Sequence, residues 1–254
     1  MADAGKVNTE IKNGIATVIF SHPQSNSLPG ELLRKLADEI TLAGNNNEVK
    51  VIVLKSEGNK TFCAGASFDE LVLIDTIEKG KEFFSGFAAV INAIRKAPKF
   101  VIAAVQGKAV GGGVGIAAAA DYALAHESAS VKLSELAVGI GPFVVGPAVE
   151  RKMGKAAFTF LTINATQWKD AAWACGKGLY ADVVSTHEEL NKAVYDLAER
   201  LSKSNPEAMR MLKNIFWEGT DNRDTLLAER AEMSGRLVLS DFTKQAIEKF
   251  KSKG

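Results

Sequence analysis

The sequence is poor in the residues that build metal centres and disulfide frameworks. It contains two cysteines, Cys63 and Cys175, and three histidines, His22, His126 and His187. None of these residues has a metal-ligand spacing, so we expect no metal site and a surface or structural role for each histidine. A pair of cysteines without a framework pattern is typical of packed thiols in a reducing compartment.

Long apolar runs and an excess of one charge are also missing. No uninterrupted apolar run approaches the roughly 20 residues that span a bilayer, and the first ten residues, MADAGKVNTE, contain no apolar signal core. The formal net charge is +1, so no overall field favours nucleic acid or an anionic membrane. We therefore expect a cytoplasmic protein whose partners include neither nucleic acid nor a membrane.

Three common site motifs are absent as well. The glycine run at 111–115 is not GxGxxG, because residue 116 is Ile, and no GxxxxGK[ST] or GxSxG occurs. These absences set aside a dinucleotide fingerprint, a phosphate-binding loop and a nucleophile elbow.

What is present is an alternation of strand and helix patterns. Polar and apolar residues alternate on both sides of Asn13-Gly14, which predicts a β-hairpin. Further along, the pattern predicts helices at 31–42 and 78–96 and buried strands at 50–54, 100–105 and 122–125. This β-α-β-α-β order favours an α/β fold with right-handed crossovers.

Beyond about residue 142 the pattern becomes mainly helical. We expect helices from Thr166 through Trp173, from the capping box Thr186–Glu189 to about 203, and from Pro206 onward, with further helices at 224–239 and 241–251. A short strand is expected at 182–184. The chain thus divides into an α/β core carrying the site, residues 1–190, and a C-terminal helical lobe, residues 191–254.

Two glycine-alanine turns are the strongest candidates for a functional site. The stretch 98–121 predicts a buried strand, a turn at Gly111–Gly113 and a helix of small residues, and the stretch 63–66, CAGA, is a second such turn. A helix N-terminus presents free N–H groups, so we expect backbone amides here to stabilise an oxyanion. The alternative is a purely structural role in tight strand–helix packing.

One carboxylate lies in an unusual setting downstream of these turns. Glu135 is surrounded in sequence by Leu133, Leu136 and Val138. A carboxylate buried among such neighbours would be desolvated, and its pKa would rise toward values suited to proton transfer. The alternative is an exposed carboxylate on a helix surface.

These features together resemble the crotonase family, the enoyl-CoA hydratases and isomerases. The resemblance runs through nearly the whole chain in the order of that family, and it is carried by Asn26, TFCAGAS at 61–67, VQGKAVGGG at 105–113, Asp121, Ser134-Glu135 with Gly139, KGLYADVV at 177–184 and SDF at 240–242.

The resemblance implies a ββα spiral core, a C-terminal lobe that assembles homotrimers or pairs of trimers, and an acyl-CoA substrate. Coenzyme A would be part of the substrate, with no separate cofactor. By motif, the amides of Ala66 and Gly112 correspond to the donors that hold the thioester oxygen, and Glu135 corresponds to the second catalytic Glu of the family's hydratases.

The resemblance also implies a set of substrate-binding residues. Ser67 departs from the Asp that is common at its position beside the adenine pocket, and Lys60 is expected to reach a CoA phosphate. The expected CoA- and acyl-binding residues are Gln24, Asn26, Leu28, Lys60, Ala64, Ser67, Phe68, Gly111, Gly115, Pro142 and Phe143.

Gly115 is the most informative departure from the family pattern, because the family's hydratases usually carry their first catalytic Glu at this position. A single carboxylate suits Δ3,Δ2-enoyl-CoA isomerisation, and it also supports hydration if Glu135 handles both protons through one water. Loss of a Glu would also fit an acyl-CoA-binding pseudoenzyme. With Gly115, the segment 135–147 resembles a bacterial subgroup linked to 3-methylglutaconyl-CoA hydration in leucine breakdown, and we therefore favour hydration of a 2-enoyl-CoA.

Overall fold

A six-stranded sheet forms the centre of the computed structural model, which describes residues 5–251. Its strand order is β1-β2-β3-β5-β7-β10, with β1 antiparallel to β2 and the other neighbours parallel. These strands are β1 Lys6–Lys12, β2 Ile15–Ser21, β3 Val51–Ser56, β5 Phe100–Val105, β7 Tyr122–His126 and β10 Asp182–Val184.

A smaller sheet of four short strands, in the order β4-β6-β8-β9, lies beside the first. Its strands are β4 Thr61–Cys63, β6 Lys108–Val110, β8 Ser130–Lys132 and β9 Lys169–Asp170. This sheet matters for function because β4 leads into one glycine turn, β6 into the other, and β8 toward Glu135.

Ten α-helices surround the sheets in the described part of the chain. They are α1 Gly30–Asn45, α2 Phe68–Leu71, α3 Ile77–Lys96, α4 Gly112–Ala119, α5 Gly146–Ile163, α6 Ala171–Gly176, α7 His187–Ser202, α8 Pro206–Phe216, α9 Arg223–Leu237 and α10 Asp241–Lys251. A 3₁₀ turn, Glu135–Val138, lies between β8 and α5.

The predicted hairpin and α/β order are confirmed, and local sequence explains why. Asn13 and Gly14 both have positive φ, 52° and 78°, as a tight hairpin turn requires. Strands β3 and β5 are apolar and almost wholly buried, because the sheet is covered on both faces. The capping box at Thr186 forms as expected, with the Thr186 hydroxyl and the Glu189 carboxylate each accepting from the other's backbone N–H.

Two sequence-based predictions were wrong. The glycine turn at 111–113 does not follow the buried strand β5; the chain first crosses to the small sheet and forms β6. The helix expected from Thr166 begins only at Ala171, because residues 169–170 pair with β8 as strand β9 and Asp170 caps α6 by accepting from the N–H of Trp173.

The C-terminal helices pack against the core in different places. Helix α7 crosses the expected boundary at residue 190 and packs on β3, β5 and β7. Helix α9 packs along α3, and α10 packs against the 3₁₀ turn that begins at Glu135. The division of the chain at 190 stays a prediction.

Candidate active site

The two glycine turns lie against each other. A Cβ built on Gly65 would be 3.2 Å from the carbonyl oxygen of Val110 and 3.9 Å from the amide nitrogen of Gly112. On the other side of the first turn, the Leu28 N–H donates to Gly65 O at 2.8 Å, and the Ser67 N–H donates to Leu28 O at 3.3 Å. Because successive N–H groups of an extended chain point to opposite sides, the N–H of the intervening residue, Ala66, points away from Leu28.

The second turn places the start of helix α4 at the same point. Gly111 precedes the helix and has no side chain that could cap it. The first N–H groups of α4 therefore receive no hydrogen bond from the cap residue. A Cβ on Gly112 would lie 2.1 Å from a ring carbon of Phe87, and a Cβ on Gly113 would lie 2.5 Å from the oxygen of Cys63. Only glycine fits at either position, and the two amides of interest, those of Ala66 and Gly112, belong to adjoining turns.

Glu135 stands beside these amides. It opens the 3₁₀ turn, which ends at Gly139 in the left-handed conformation (φ 83°). A Cβ on Gly111 would lie 2.9 Å from Glu135 Oε1 and 3.3 Å from the carboxyl carbon. The carboxyl group therefore packs directly against the residue that precedes α4, and space for it exists because residue 111 has no side chain.

The Glu135 carboxyl is desolvated. Its Oε2 atom is buried and has no hydrogen-bond partner among the described residues. Burial raises the pKa of Glu135 to about 7, against a smaller lowering from a hydrogen bond to its own backbone amide. A carboxyl group with a pKa near 7 can both accept and donate a proton at neutral pH, as an acid/base catalyst must.

A cavity of about 630 Å³ opens onto this point. Its walls are mainly apolar, and they combine the two turns with α3, the segment after the 3₁₀ turn, and one residue each from α9 and α10. The residues from these surroundings include Phe83, Phe84 and Phe87, Val138, Ile140, Val144 and Val145, Ser234 and Ala246. A concave apolar cavity with a few converging polar groups is the usual form of a small-molecule site.

Nine of the residues expected from sequence line this cavity. They are Gln24, Ala64, Ala66, Phe68, Gly111, Gly112, Glu135, Pro142 and Phe143. The residues therefore come from four separate parts of the chain, which the fold brings together around the carboxyl of Glu135.

Four other expected residues lie outside the cavity wall. Asn26 is buried, and its side-chain amide donates to the carbonyl oxygens of Glu57 and Thr61 at 2.8 Å each, so it braces the first loop. Leu28 lies in the core. Ser67 caps α2, and Lys60 is exposed. Ligand contacts of these residues stay predictions.

Gly115 is the fifth such residue, and its surroundings are closed. It is buried and does not line the cavity. A Cβ at this position would lie 2.5 Å from Cγ1 and 2.8 Å from Cβ of Val145 on the segment leading into α5. The place where a side chain at 115 would project is thus taken by Val145, which itself lines the cavity.

Sequence reasoning did not identify several residues of the cavity wall. Phe83, Phe84 and Phe87 lie three or four residues apart in the sequence, which indicates the apolar face of a helix but no cavity. Lys132 had no signal apart from its position three residues before Glu135. No local pattern predicts that Ser234 and Ala246, about 100 residues downstream of Glu135, reach the same cavity.

The described residues contain no group of three or more His, Cys, Asp or Glu side chains placed to hold a metal ion. In the same part of the chain, no helix has the length and apolar character needed to cross a membrane.

Comparisons with known proteins show the family to which this chain belongs. The sequence model of the enoyl-CoA hydratase/isomerase family matches residues 10–254. A short-chain-enoyl-CoA hydratase of Clostridium acetobutylicum is 30% identical over 251 residues, which cover 98% of this chain and 95% of that enzyme. The mitochondrial methylglutaconyl-CoA hydratase of Rattus norvegicus is 33% identical over 200 residues, covering 77% of this chain and 63% of that protein.

Solved structures show the same fold. An enoyl-CoA hydratase from Bacillus halodurans superimposes with a TM-score of 0.88 at 22% identity, covering 96% of this chain and 99% of that one. An enoyl-CoA hydratase from Mycobacterium avium gives a TM-score of 0.84 at 26% identity, covering 97% and 96%. The predicted crotonase-like fold is confirmed. The chain belongs to the enoyl-CoA hydratase/isomerase family and is an acyl-CoA enzyme of that family.

Proposed function

We propose that this enzyme hydrates the double bond of a 2-enoyl-CoA, with Glu135 as its acid/base and the amides of Ala66 and Gly112 as its oxyanion hole. The single observation that carries the proposal is the desolvated carboxyl of Glu135, packed against Gly111 at the start of α4. The similarity to two named hydratases supports hydration over other reactions of the family.

The reaction can be followed through the groups of this site. Glu135, ionised, takes a proton from a water, and the hydroxide adds to C3 of the substrate. The π electron pair of the C2=C3 double bond shifts to C1–C2, and the carbonyl π pair moves to the thioester oxygen. There two backbone N–H groups stabilise the enolate, and each such donor is worth roughly 10²–10³ in rate. The enolate then collapses as Glu135 returns the proton to C2, so that one carboxyl group serves both steps.

The proposal places coenzyme A at the side of the cavity formed by Gln24, Ala64 and Phe68, with Pro142 and Phe143 against the acyl group. Coenzyme A is then part of the substrate, and no separate cofactor is required. The similarity to methylglutaconyl-CoA hydratases makes a methylglutaconyl-CoA-like substrate our first candidate.

The proposed assembly is a homotrimer or a pair of trimers. It is supported by apolar side chains of α8 that are between 44% and 60% exposed in the single chain, namely Met211, Leu212, Ile215 and Phe216. Cytoplasmic location is likewise a proposal, supported by two cysteines, both free.

Isomerisation of a 3-enoyl-CoA is the second candidate. It is favoured by the closed surroundings of Gly115, where no catalytic side chain projects, while the Glu135 carboxyl packs against the start of α4. A shuttle from C2 to C4 needs only one carboxyl, whereas the family's hydratases usually carry two.

The two reactions are separated by the absorbance of the conjugated thioester. Hydration of a 2-enoyl-CoA removes this absorbance, and isomerisation of a 3-enoyl-CoA creates it. We expect loss with the 2-enoyl-CoA; a gain with the 3-enoyl-CoA and no loss with the 2-enoyl-CoA would replace hydration by isomerisation.

The Glu135→Gln variant tests the role of the carboxyl and the less favoured pseudoenzyme. The amide keeps the size of the side chain but cannot transfer the proton, so turnover should fall by about 10²–10⁴-fold while acyl-CoA still binds. Binding measured by calorimetry and turnover measured by absorbance give the two readouts. Binding without turnover in both the wild type and the variant would mean a pseudoenzyme.

A further inference from the structure

Another cavity lies on the face of the large sheet that α7 covers. Its volume is about 270 Å³, and it shares no lining residue with the cavity at Glu135. We call it the α7 cavity. It is lined by strand residues Ile19, Lys55 and Ala104, by Gln106 directly after β5, and by His187 and Leu190 of α7.

The register of the sheet brings the three strand residues together. Ile19 is paired with Lys55, and Lys55 with Ala104, so their side chains stand side by side on one face. All three lie toward the carboxyl ends of parallel strands, and Leu190 packs in the same apolar cluster as Ala104. The carboxyl edge of a parallel sheet is the edge at which α/β proteins commonly hold a ligand.

One residue of the α7 cavity has a buried amide oxygen without a partner. Gln106 is 7% exposed, and its Oε1 atom accepts no hydrogen bond from the described residues. The orientation of the amide is fixed, because its Nε2 group donates to the Ser56 hydroxyl at 2.7 Å and to the Thr61 carbonyl oxygen at 3.1 Å. A buried acceptor that lacks a donor is costly, so Oε1 favours an occupant that supplies one.

A second buried polar atom of the α7 cavity also lacks a partner, namely Nδ1 of His187. The ring stacks on that of His126, with centres 4.0 Å apart and planes inclined by 14°. Burial lowers the pKa of His187, and the nearby charge of His126 lowers it further. The ring is therefore neutral at pH 7, and Nδ1 can accept a hydrogen bond when Nε2 carries the proton.

Unpartnered atoms of this kind are few in the described part of the chain. Six buried side-chain nitrogen or oxygen atoms lack a partner there. One of the six, Oε2 of Glu135, belongs to the candidate active site, and the atoms of Gln106 and His187 belong to the α7 cavity. The cavity also has roughly nine times the volume that one water occupies in the liquid, so a single water does not fill it.

The charges around the α7 cavity are balanced within the chain. One cation and one anion line it, Lys55 and Glu57. The Lys55 ammonium donates to Asn191 Oδ1 at 3.0 Å, and Glu57 forms an ion pair with Lys6 at 2.9 Å. Without an excess of either sign, the cavity favours an occupant that carries no net charge.

We propose that the α7 cavity binds a small uncharged molecule through an amide group, whose N–H donors are accepted by Gln106 Oε1 and His187 Nδ1. A primary carboxamide has two N–H donors, one for each acceptor. The apolar side chains of Ile19, Ala104 and Leu190 contact the body of the molecule. The proposal concerns a site apart from the cavity at Glu135, and it holds whichever reaction the enzyme catalyses.

The test compares benzamide with acetophenone, which has the same ring and carbonyl group but a methyl group in place of the NH₂. Dissociation constants for the wild-type protein are measured by ligand-observed NMR at about pH 7.5, where His187 is neutral. We expect benzamide to bind at least about tenfold more tightly, because acetophenone leaves both acceptors without a donor. Equal binding of the two compounds, or binding of neither, overturns the proposal and leaves the cavity to water.

Two matched variants locate the bound benzamide. His187→Phe keeps the stacked ring and removes Nδ1, so it should weaken benzamide binding by about tenfold. His126→Phe changes the other ring of the same stack, which does not line the cavity, and should leave binding unchanged. An unchanged dissociation constant in His187→Phe, or an equal loss in both variants, overturns the proposal.

Gln106→Leu removes the other acceptor and should abolish the preference for benzamide over acetophenone. This variant also loses the hydrogen bonds of Nε2, so its thermal unfolding is measured first; if it does not fold, the two histidine variants decide the test. Competition by butyryl-CoA separates the two cavities. Benzamide that butyryl-CoA displaces would lie in the cavity at Glu135, which overturns the proposal, whereas simultaneous binding supports it.

Discussion

A Cβ on Gly115 would lie 2.5 Å from Cγ1 of Val145. The space that a side chain at residue 115 would occupy is therefore taken by Val145, which itself lines the cavity. The resemblance to the family's hydratases predicts a catalytic Glu at this position, and the packing around Gly115 leaves no room for one. In the function proposed above, Glu135 acts without such a partner.

Gly115→Ala should therefore destabilise the fold although alanine favours helices. The added methyl group must displace Val145, and overpacking of this kind typically costs about 1–3 kcal/mol in the free energy of unfolding. Denaturant midpoints of Gly115→Ala and of Gly115→Ala with Val145→Ala measure the effect. The double variant should be more stable than the sum of the two separate losses predicts, because Val145→Ala makes room for the new methyl group. Additive losses would show that these residues do not compete for space.

The glycine at 111 should be required for a different reason, its contact with the carboxyl of Glu135, the proposed acid/base. Gly111 has φ 52° and ψ −111°, and a Cβ there would lie 2.9 Å from Glu135 Oε1. Gly111→Ala should displace the carboxyl and lower kcat/KM by about 10²-fold, the effect expected for a misplaced catalytic group. Steady-state rates on a 2-enoyl-CoA measure it.

Gly58→Ala is the matched control for backbone strain. Gly58 also has a positive φ, 79°, but a Cβ there has nothing within 4 Å. Both variants should lose stability, because alanine tolerates a positive φ poorly. Only Gly111→Ala should also lose activity. Equal activity of the two variants would mean that Gly111 serves the backbone alone.

The pH dependence of the reaction should reveal the burial of Glu135. Its pKa is raised to about 7, and water activation needs the ionised form. For the free enzyme, kcat/KM should rise about tenfold per unit of pH below 7 and level off above it. Initial rates from pH 5 to 9, with Glu135→Gln as the background, provide the measurement. If kcat/KM instead levelled off above about pH 4.5, the carboxyl of Glu135 would be solvated, which would contradict the site described above.

The same shift should appear in the stability of the protein. Because burial raises the folded-state pKa of Glu135 above its ordinary value of 4.5, the folded protein holds a proton that the unfolded chain has lost between about pH 4.5 and 7. The contribution of this group to stability is therefore fully present below 4.5 and is lost as the pH rises toward 7. Glu135→Gln should gain stability relative to the wild type over that interval, as measured by the midpoint of thermal unfolding.

Features that depend on a few neighbouring residues could be predicted from the sequence. Asn13-Gly14 defines its own turn, the Thr186–Glu189 capping box needs only one helical turn, and the small residues at 111–113 indicate close backbone approach wherever they lie. Glu135 could be singled out by its apolar neighbours in sequence, although Leu136 is 48% exposed and the structure shows the carboxyl packed against Gly111.

Features that depend on distant contacts could not be predicted. Residues 108–110 and 169–170 are too short to show a strand pattern, and they form strands because neighbouring strands offer them partners, β4 and β8 for the first and β8 for the second. The contact between Gly115 and Val145 joins two elements 30 residues apart, and no alternation in either segment indicates it. The position of Lys132 on the cavity wall likewise follows from the register of β6 and β8.

The buried ion pair between Asp121 and Lys213 should be the most important charged contact for stability. Lys213 is 2% exposed; its ammonium donates to Asp121 Oδ2 at 2.5 Å and to the carbonyl oxygen of Ile94 at 2.8 Å, and the Trp217 indole donates to Asp121 Oδ1 at 3.3 Å. These bonds tie α8 and Trp217 to the segment that follows α4 and to α3. Removing one partner leaves the other charge buried and unpaired, which typically costs about 3–5 kcal/mol.

Lys213→Met should therefore lower the free energy of unfolding by about that amount, and Asp121→Asn with Lys213→Met should lower it less, since no unpaired charge remains. The exposed pair Lys192–Asp196, with a 2.6 Å contact four residues apart on α7, is the control; Lys192→Met should change stability by at most about 1 kcal/mol. Urea unfolding of the four proteins, wild type included, gives the comparison. Because neither residue of the pair lines the cavity, kcat should change little in any variant that remains folded. A selective loss of kcat in Lys213→Met would instead show that α8 affects the position of α4.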